Sequence, residues 1–280
     1  MIKDFHLYNI ADADSATSPR GVLRTARRAF KRCLLDRQTI EQPRFFCQNV
    51  GACGSTYLIQ LLRENGIERV FHEKAPDLER LGVERFFNQA SSQRLIRLLR
   101  YTRHNVFLEA NNRLFAMTRE LKLAFPAARF IHLYRDPAEA VRSAMSKPNV
   151  VPYLKSNLRL RTSISGPISA TPFEKFCHNW KTTNQRIFDD LESVRRRTGE
   201  KCLTLKFDDL IGGRLDSLEH FCGIKLSMRA RPPVNQRVDR PEGKFPPPDQ
   251  WTLNQKSMLR QICYPLLSRL DAKALSSKAS

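Results

Sequence analysis

Arg44-Phe45-Phe46-Cys47-Gln48-Asn49-Val50, then Gly51-Ala52-Cys53-Gly54-Ser55-Thr56, then Tyr57-Leu58-Ile59-Gln60-Leu61-Leu62, is the stretch on which the fold of this chain turns. The first part is a short apolar run rich in aromatics, as a buried strand is. The second consists of small residues, with glycine at both ends of Gly51–Gly54 and two hydroxyls after it. The third places Tyr57, Leu58, Leu61 and Leu62 on one helical face. Strand, small-residue loop and helix in that order form a holder for phosphate or sulfate. The helix N-terminus presents unpaired N–H groups and the positive end of its dipole. Glycines let the backbone approach an anion, and Ser55 and Thr56 add hydroxyl donors. The loop is not the common nucleoside-triphosphate loop, whose glycines are further apart and are followed by Lys. Taken alone, it is equally compatible with a strand-to-helix turn that holds no ligand.

A second stretch, Phe125-Pro126-Ala127-Ala128-Arg129-Phe130-Ile131-His132-Leu133-Tyr134-Arg135-Asp136-Pro137, sharpens the reading. Phe130–Tyr134 reads as a strand. Asp136 suits an N-cap and Pro137 the first helical turn. Arg135 therefore stands where a strand hands over to a helix, at the carboxyl edge where open α/β sheets bind ligands. Ser143 follows about two helical turns on, also available to an anion.

At these residues the chain resembles the sulfotransferases that use 3′-phosphoadenosine 5′-phosphosulfate. Their first loop, roughly Pro-Lys-Ser-Gly-Thr-Thr, holds the 5′-phosphosulfate, and Gly51–Thr56 is similar to it. Their second motif is a strand, an Arg and a later Ser that grip the 3′-phosphate, and Arg135 and Ser143 have that spacing. Phe125–Ile131 and Leu205-Lys206-Phe207-Asp208-Asp209-Leu210 resemble the family as well. Near the C-terminus the family often folds an Arg-Lys-Gly loop over the 3′-phosphate shortly before a Trp. Arg240, Gly243 and Lys244, followed by Trp251, resemble that loop. The resemblance implies a P-loop-like sulfotransferase fold, with a parallel sheet covered by helices on both faces. It implies the nucleotide as co-substrate, no metal, and a donor site built from Gly51, Ala52, Cys53, Gly54, Ser55, Thr56, Arg135, Ser143, Arg240 and Lys244. One position departs from the pattern: where the family usually has Lys or Arg beside the transferring sulfuryl group, this chain has Ala52.

Sulfuryl transfer also needs a group to take the acceptor's proton. His72 and Glu73 follow the short run Arg69-Val70-Phe71, and Glu109 follows Val106-Phe107-Leu108. All three are expected at strand ends on the active edge. Some bacterial members of the family have a similar His-Glu pair. Lys74 and Arg113 are cations in the same regions that can stand in for the missing loop Lys.

The alternation of strands and helices predicts a single α/β domain over 41–271. Residues 1–40 read as a basic helical extension packed on it, with Val22, Leu23, Ala26, Phe30 and Leu34 on the apolar side. The same helix is suited to peripheral contact with an anionic membrane. The segment 147–172 reads as a long irregular loop and 272–280 as a frayed tail. Trp180 lies on an apolar stripe and reads as core rather than as a stack for adenine.

The formal net charge is +20 over 280 residues. Such a charge favours anionic partners. An acidic glycan or a lipid headgroup is a fitting sulfate acceptor. Nucleic acid is not expected, because the Arg94, Arg97 and Arg100 stripe lacks interleaved aromatics. The seven cysteines form no Cys-x-x-Cys pair, so neither a zinc site nor a redox dithiol is indicated, and a reducing cytoplasm is expected. No apolar run long enough to cross a membrane is present, and the N-terminal residues lack the apolar core of a signal peptide. Two other readings stand beside sulfuryl transfer. One is a nucleotide-phosphate kinase, which lacks its loop Lys here. The other is a non-enzymatic basic protein that binds nucleic acid or acidic glycan.

Overall fold

The chain's computed structural model describes residues 45–72, 106–112, 114–147, 170–227 and 245–278. At its centre is β1, Phe45–Gln48, buried along its whole length. β3 (Leu108–Ala110) and β4 (Arg129–Tyr134) pair with it on either side, both parallel. β2 (Val70–His72) lies outside β3, and β5 (Leu203–Lys206) outside β4. The order β2-β3-β1-β4-β5 makes a parallel five-stranded sheet.

The helices are α1 (Ser55–Glu64), α2 (Thr118–Ala124), α3 (Pro137–Met145) and α4 (Pro172–Thr198). They continue with α5 (Phe207–Ile211), α6 (Asp216–Cys222), α7 (Leu253–Ile262) and α8 (Tyr264–Lys278). Strand alternation sends side chains to both faces. Phe45 and Cys47 pack with α1, α5 and α6, while Phe46 packs with α2 and α4. A third cluster joins α3, α4, α7 and α8 around Tyr134 and Trp180. Each large apolar side chain so buried contributes about 1.5–3 kcal/mol. The fold is therefore the α/β arrangement expected, with helices over both faces.

The sequence after β1 crosses to β2, and the sequence after β3 crosses back to β4 on β1's other side. The crevice between the carboxyl ends of β1 and β4 is thus the switch point where such sheets hold ligands.

One expectation changes. From Leu253 the chain forms α7 and α8, with a break at Cys263. The supposed frayed tail is helical to Lys278. Leu266, Leu270 and Ala274 form a buried stripe at four-residue spacing, and Lys273 pairs with Glu192 at 2.9 Å. The stripe ends in a small residue, so composition alone reads it as tail. The basic N-terminal helix and nearly all of the 147–172 segment lie outside the described residues.

Candidate functional site

The loop between β1 and α1 is held in an unusual backbone conformation. Gly51, Ala52 and Gly54 have φ of 81°, 56° and 87°, the left-handed region from which anion nests are built. Asn49, fully buried, accepts a hydrogen bond through Oδ1 from the Gly51 N–H at 2.8 Å. The Cys53 thiol donates to the Gly51 carbonyl at 3.3 Å. A side chain at Gly54 would have its Cβ 2.1 Å from the Phe207 ring. Position 54 therefore needs glycine for space as well as for φ.

α1 begins in this loop without a side-chain cap. By contrast, Asp136, Thr171 and Thr252 cap α3, α4 and α7. The first-turn N–H groups of α1 thus lack a side-chain acceptor, as do those of the shorter α2, α5 and α6; what sets α1 apart is the left-handed loop that leads into it.

Arg135 lies one strand away, because β4 pairs directly with β1. Its carbonyl accepts a hydrogen bond from the Trp180 indole N–H at 3.3 Å. Its guanidinium carbon sits 5.0 Å from the centre of the Phe207 ring. Its ion pair is with Glu139, at 3.3 Å and partly exposed. Its Nε has no hydrogen-bond partner among the described residues, and neither has the buried Nδ2 of Asn49. Ser143 is half-buried on α3, one helical turn beyond Glu139. Trp180 is fully buried core, as expected. Two donors next to an uncapped helix are what an incoming oxyanion would accept from.

His72 closes β2, and its Nε2 lies 2.8 Å from Ser55 Oγ and 3.4 Å from Thr56 Oγ1. The imidazole therefore touches the loop itself. Glu109 does not follow a strand. It sits inside β3, buried, in register with Phe46 and Phe71. In-register neighbours share a face, so Glu109 points with Phe46, while His72 points with Ala110 toward the α1 face. The ladder runs over Leu108–Ala110, two residues further along the chain than the apolar run Val106-Phe107-Leu108 suggests. Glu73, Lys74, Arg113, Arg240 and Lys244 lie outside the described residues.

Burial pushes the Cys53 thiol up to about 11, against the opposing positive charges of Arg135 and Lys147. A thiol held there is neutral at physiological pH and serves as a clamp, not a nucleophile. Burial also raises the Asp208 carboxyl, and the charges of Lys206 and Arg135 work against that rise.

Asn49 and Phe207 touch the loop and were missed in the sequence reading. Phe207 stood in a segment resembling the family, but nothing local shows that its ring reaches Gly54. Among the described residues no group of three or more His, Cys, Asp or Glu could hold a metal ion. No described helix is long and apolar enough to cross a membrane.

The model of the Sulfotransferase family matches residues 8–227. A sulfotransferase from Alicyclobacillus acidocaldarius, known from a crystal structure, is similar at a TM-score of 0.47 and 13% identity, over 84% of this chain and 96% of its own. No curated protein matches. The family match runs through the left-handed loop, the uncapped helix, Arg135 and Ser143 and ends before Arg240 and Lys244; it spans most of the chain, and the chain belongs to the sulfotransferase family.

Proposed function

We propose that the chain transfers a sulfuryl group from 3′-phosphoadenosine 5′-phosphosulfate to a hydroxyl or amine of an acceptor. The observation that carries the reading is the uncapped, left-handed loop at α1 one strand from Arg135, whose Nε is unpartnered among the described residues. Both ends of a nucleotide bearing two phosphate groups can be held this way. The nucleotide supplies the sulfuryl group, and the rest is positioning and charge, as in phosphoryl transfer.

In this reading, the backbone N–H groups of residues 53–56 hold the phosphosulfate oxygens, with Ser55 and Thr56 adding hydroxyls. Arg135 and Ser143 hold the 3′-phosphate, helped by Arg240 and Lys244. Lys147, whose charge reaches Cys53, joins Lys74 and Arg113 as a cation replacing the one absent at Ala52. His72, Glu73 and Glu109 are the candidate bases. His72 is favoured among the described pair because it touches the loop. The acceptor proton passes to that base as the acceptor–sulfur bond forms, and the sulfur–oxygen bond to the nucleotide breaks.

The net charge of +20 favours an acidic glycan or lipid headgroup as acceptor. Peripheral membrane contact through residues 21–37 and a reducing cytoplasm, suited to free thiols such as the buried Cys47 and Cys53, belong to the same reading.

Thermal unfolding with adenosine 3′,5′-bisphosphate, ATP or an oligonucleotide tests it. At a hundredfold excess over its dissociation constant a ligand adds about 2.7 kcal/mol. At physiological salt the bisphosphate should stabilise and the other two should not. Stabilisation by ATP alone would favour a kinase-like protein, and by the oligonucleotide alone a nucleic-acid binder.

A further inference from the structure

The edge of the sheet opposite the Gly51–Thr56 loop carries a second basic site. A cavity of about 260 Å³ opens beside Arg129 and Leu203, the first residues of β4 and β5. Arg135 lies beyond the far end of β4, about 20 Å away at roughly 3.3 Å per residue. The cavity is therefore separate from the donor site.

Arg129, Arg195, Lys201, His220 and Lys273 line it with two serines, and among the described residues no carboxylate does. Arg195 and Lys273 share one acid, Glu192, at 2.7 and 2.9 Å. Glu219, on the neighbouring α6, is engaged by the Leu226 N–H at 2.6 Å. The Arg129 guanidinium carbon lies 4.0 Å from the centre of the Phe221 ring and 5.5 Å from that of Phe45. Among the described residues it makes no ion pair, and neither do Lys201 and His220. Stacking fixes the guanidinium plane and leaves its N–H edge for a ligand.

Glu192 offsets only part of this charge, and the basic groups converging on the concave site repel one another until an anion enters. Pockets for whole organic ligands run from about 300 to 1,000 Å³. This cavity falls below that range and suits a compact oxyanion or an ester headgroup.

We propose that this cavity binds a dianionic oxyanion, a phosphate or sulfate group, either free or carried as an ester on a larger molecule. Full-length protein carrying Arg135→Ala, which weakens the donor site, should be titrated calorimetrically with inorganic phosphate and with glucose 6-phosphate. Lys201 and His220 are exposed, so Lys201→Glu with His220→Gln can be added with the fold intact. The Arg135→Ala protein should still bind phosphate, and the added pair should weaken binding at least tenfold. Arg129→Gln should weaken it similarly. Tighter binding of the ester would assign the anion to a larger molecule, and equal or weaker binding would assign it to a free ion; both carry the site. Absence of binding by the Arg135→Ala protein to either probe, or unchanged affinity after Lys201→Glu with His220→Gln, would overturn the proposal.

Discussion

The guanidinium carbon of Arg135 lies 5.0 Å from the centre of the Phe207 ring, and that ring fills the space a side chain at Gly54 would need. Phe207 thus joins the two halves of the donor site, touching the loop after β1 and the arginine after β4. Gly54→Ala should break both. A left-handed Ala costs about 1–2 kcal/mol, and forcing the ring aside costs about 1–3 more. The expected result is a lower midpoint in urea unfolding together with loss of bisphosphate affinity. Wild-type values for both would show that the loop adapts freely.

Arg135→Ala separates binding from folding. The Arg135–Glu139 pair is partly exposed and adds little to stability. A charge-assisted contact to a phosphate is worth about 1.5–3 kcal/mol. Bisphosphate affinity should fall from about tenfold to beyond a hundredfold, with the unfolding midpoint nearly unchanged. Ser143→Ala should cost about tenfold or less. Equal affinity in the Arg135 variant would remove the 3′-phosphate assignment.

Ala52 holds φ 56° without being glycine. Ala52→Gly should relieve that strain, and part of the gain is returned through the freer unfolded chain. The net stabilisation should be about 0.5–1 kcal/mol by urea unfolding. Ala52→Lys tests the missing cation instead. With Lys147, Lys74 or Arg113 supplying the charge, as proposed, turnover should rise less than tenfold, and Lys147→Ala should lower it if Lys147 is the source. A gain of a hundredfold or more from Ala52→Lys would mean that no other residue supplies the charge.

The loop and the strand entering Arg135 were legible in the sequence because their chemistry is local. Glycines, a capping Asp136 and a following Pro137 write a turn and a helix start into a few residues. The contact between Phe207 and Gly54 was not legible, since it joins residues far apart in the chain and no periodic pattern encodes it. Glu109 was misplaced for a related reason. An apolar run marks a strand, but its hydrogen-bonded ladder is decided by the strands on either side, here β1 and β2. Asn49 was missed because a buried amide looks like any turn residue until its partner, the Gly51 N–H, is seen.

His72 is a candidate base that also touches the donor loop. With Nε2 at 2.8 Å from Ser55 Oγ, its removal should disturb the loop as well as the proton transfer. His72→Ala should lower turnover by about 10²–10⁴, the usual contribution of a general base, and should weaken bisphosphate binding severalfold. Ser55→Ala should reproduce the binding loss without the full loss of turnover. If both variants lose turnover equally, His72 positions the loop and does not take the proton. The base would then be sought at Glu73 or Glu109.

His132 makes stability depend on pH in a defined window. It lies in β4, fully buried, with Nε2 at 2.9 Å from Asn184 Oδ1. Asn184 is itself fixed by donating to the Trp180 carbonyl at 2.9 Å. Because Asn184 Oδ1 can only accept, Nε2 carries a proton at this contact. Burial pulls His132 down to about 4, and the bond to Asn184 opposes this only in part. In the unfolded chain the same group titrates near 6.5. Between these values the unfolded chain binds more protons, so stability is complete above about pH 6.5 and is lost as the pH falls through 4. A shift of that size is worth about 3 kcal/mol. Carboxylates elsewhere also titrate there, so the measurement is a comparison. Urea unfolding of wild type and His132→Gln should be followed from pH 7 to pH 4. The variant, which keeps an N–H donor for Asn184, should start less stable and lose less on acidification. Parallel curves would show that His132 is not the group whose protonation loosens the fold.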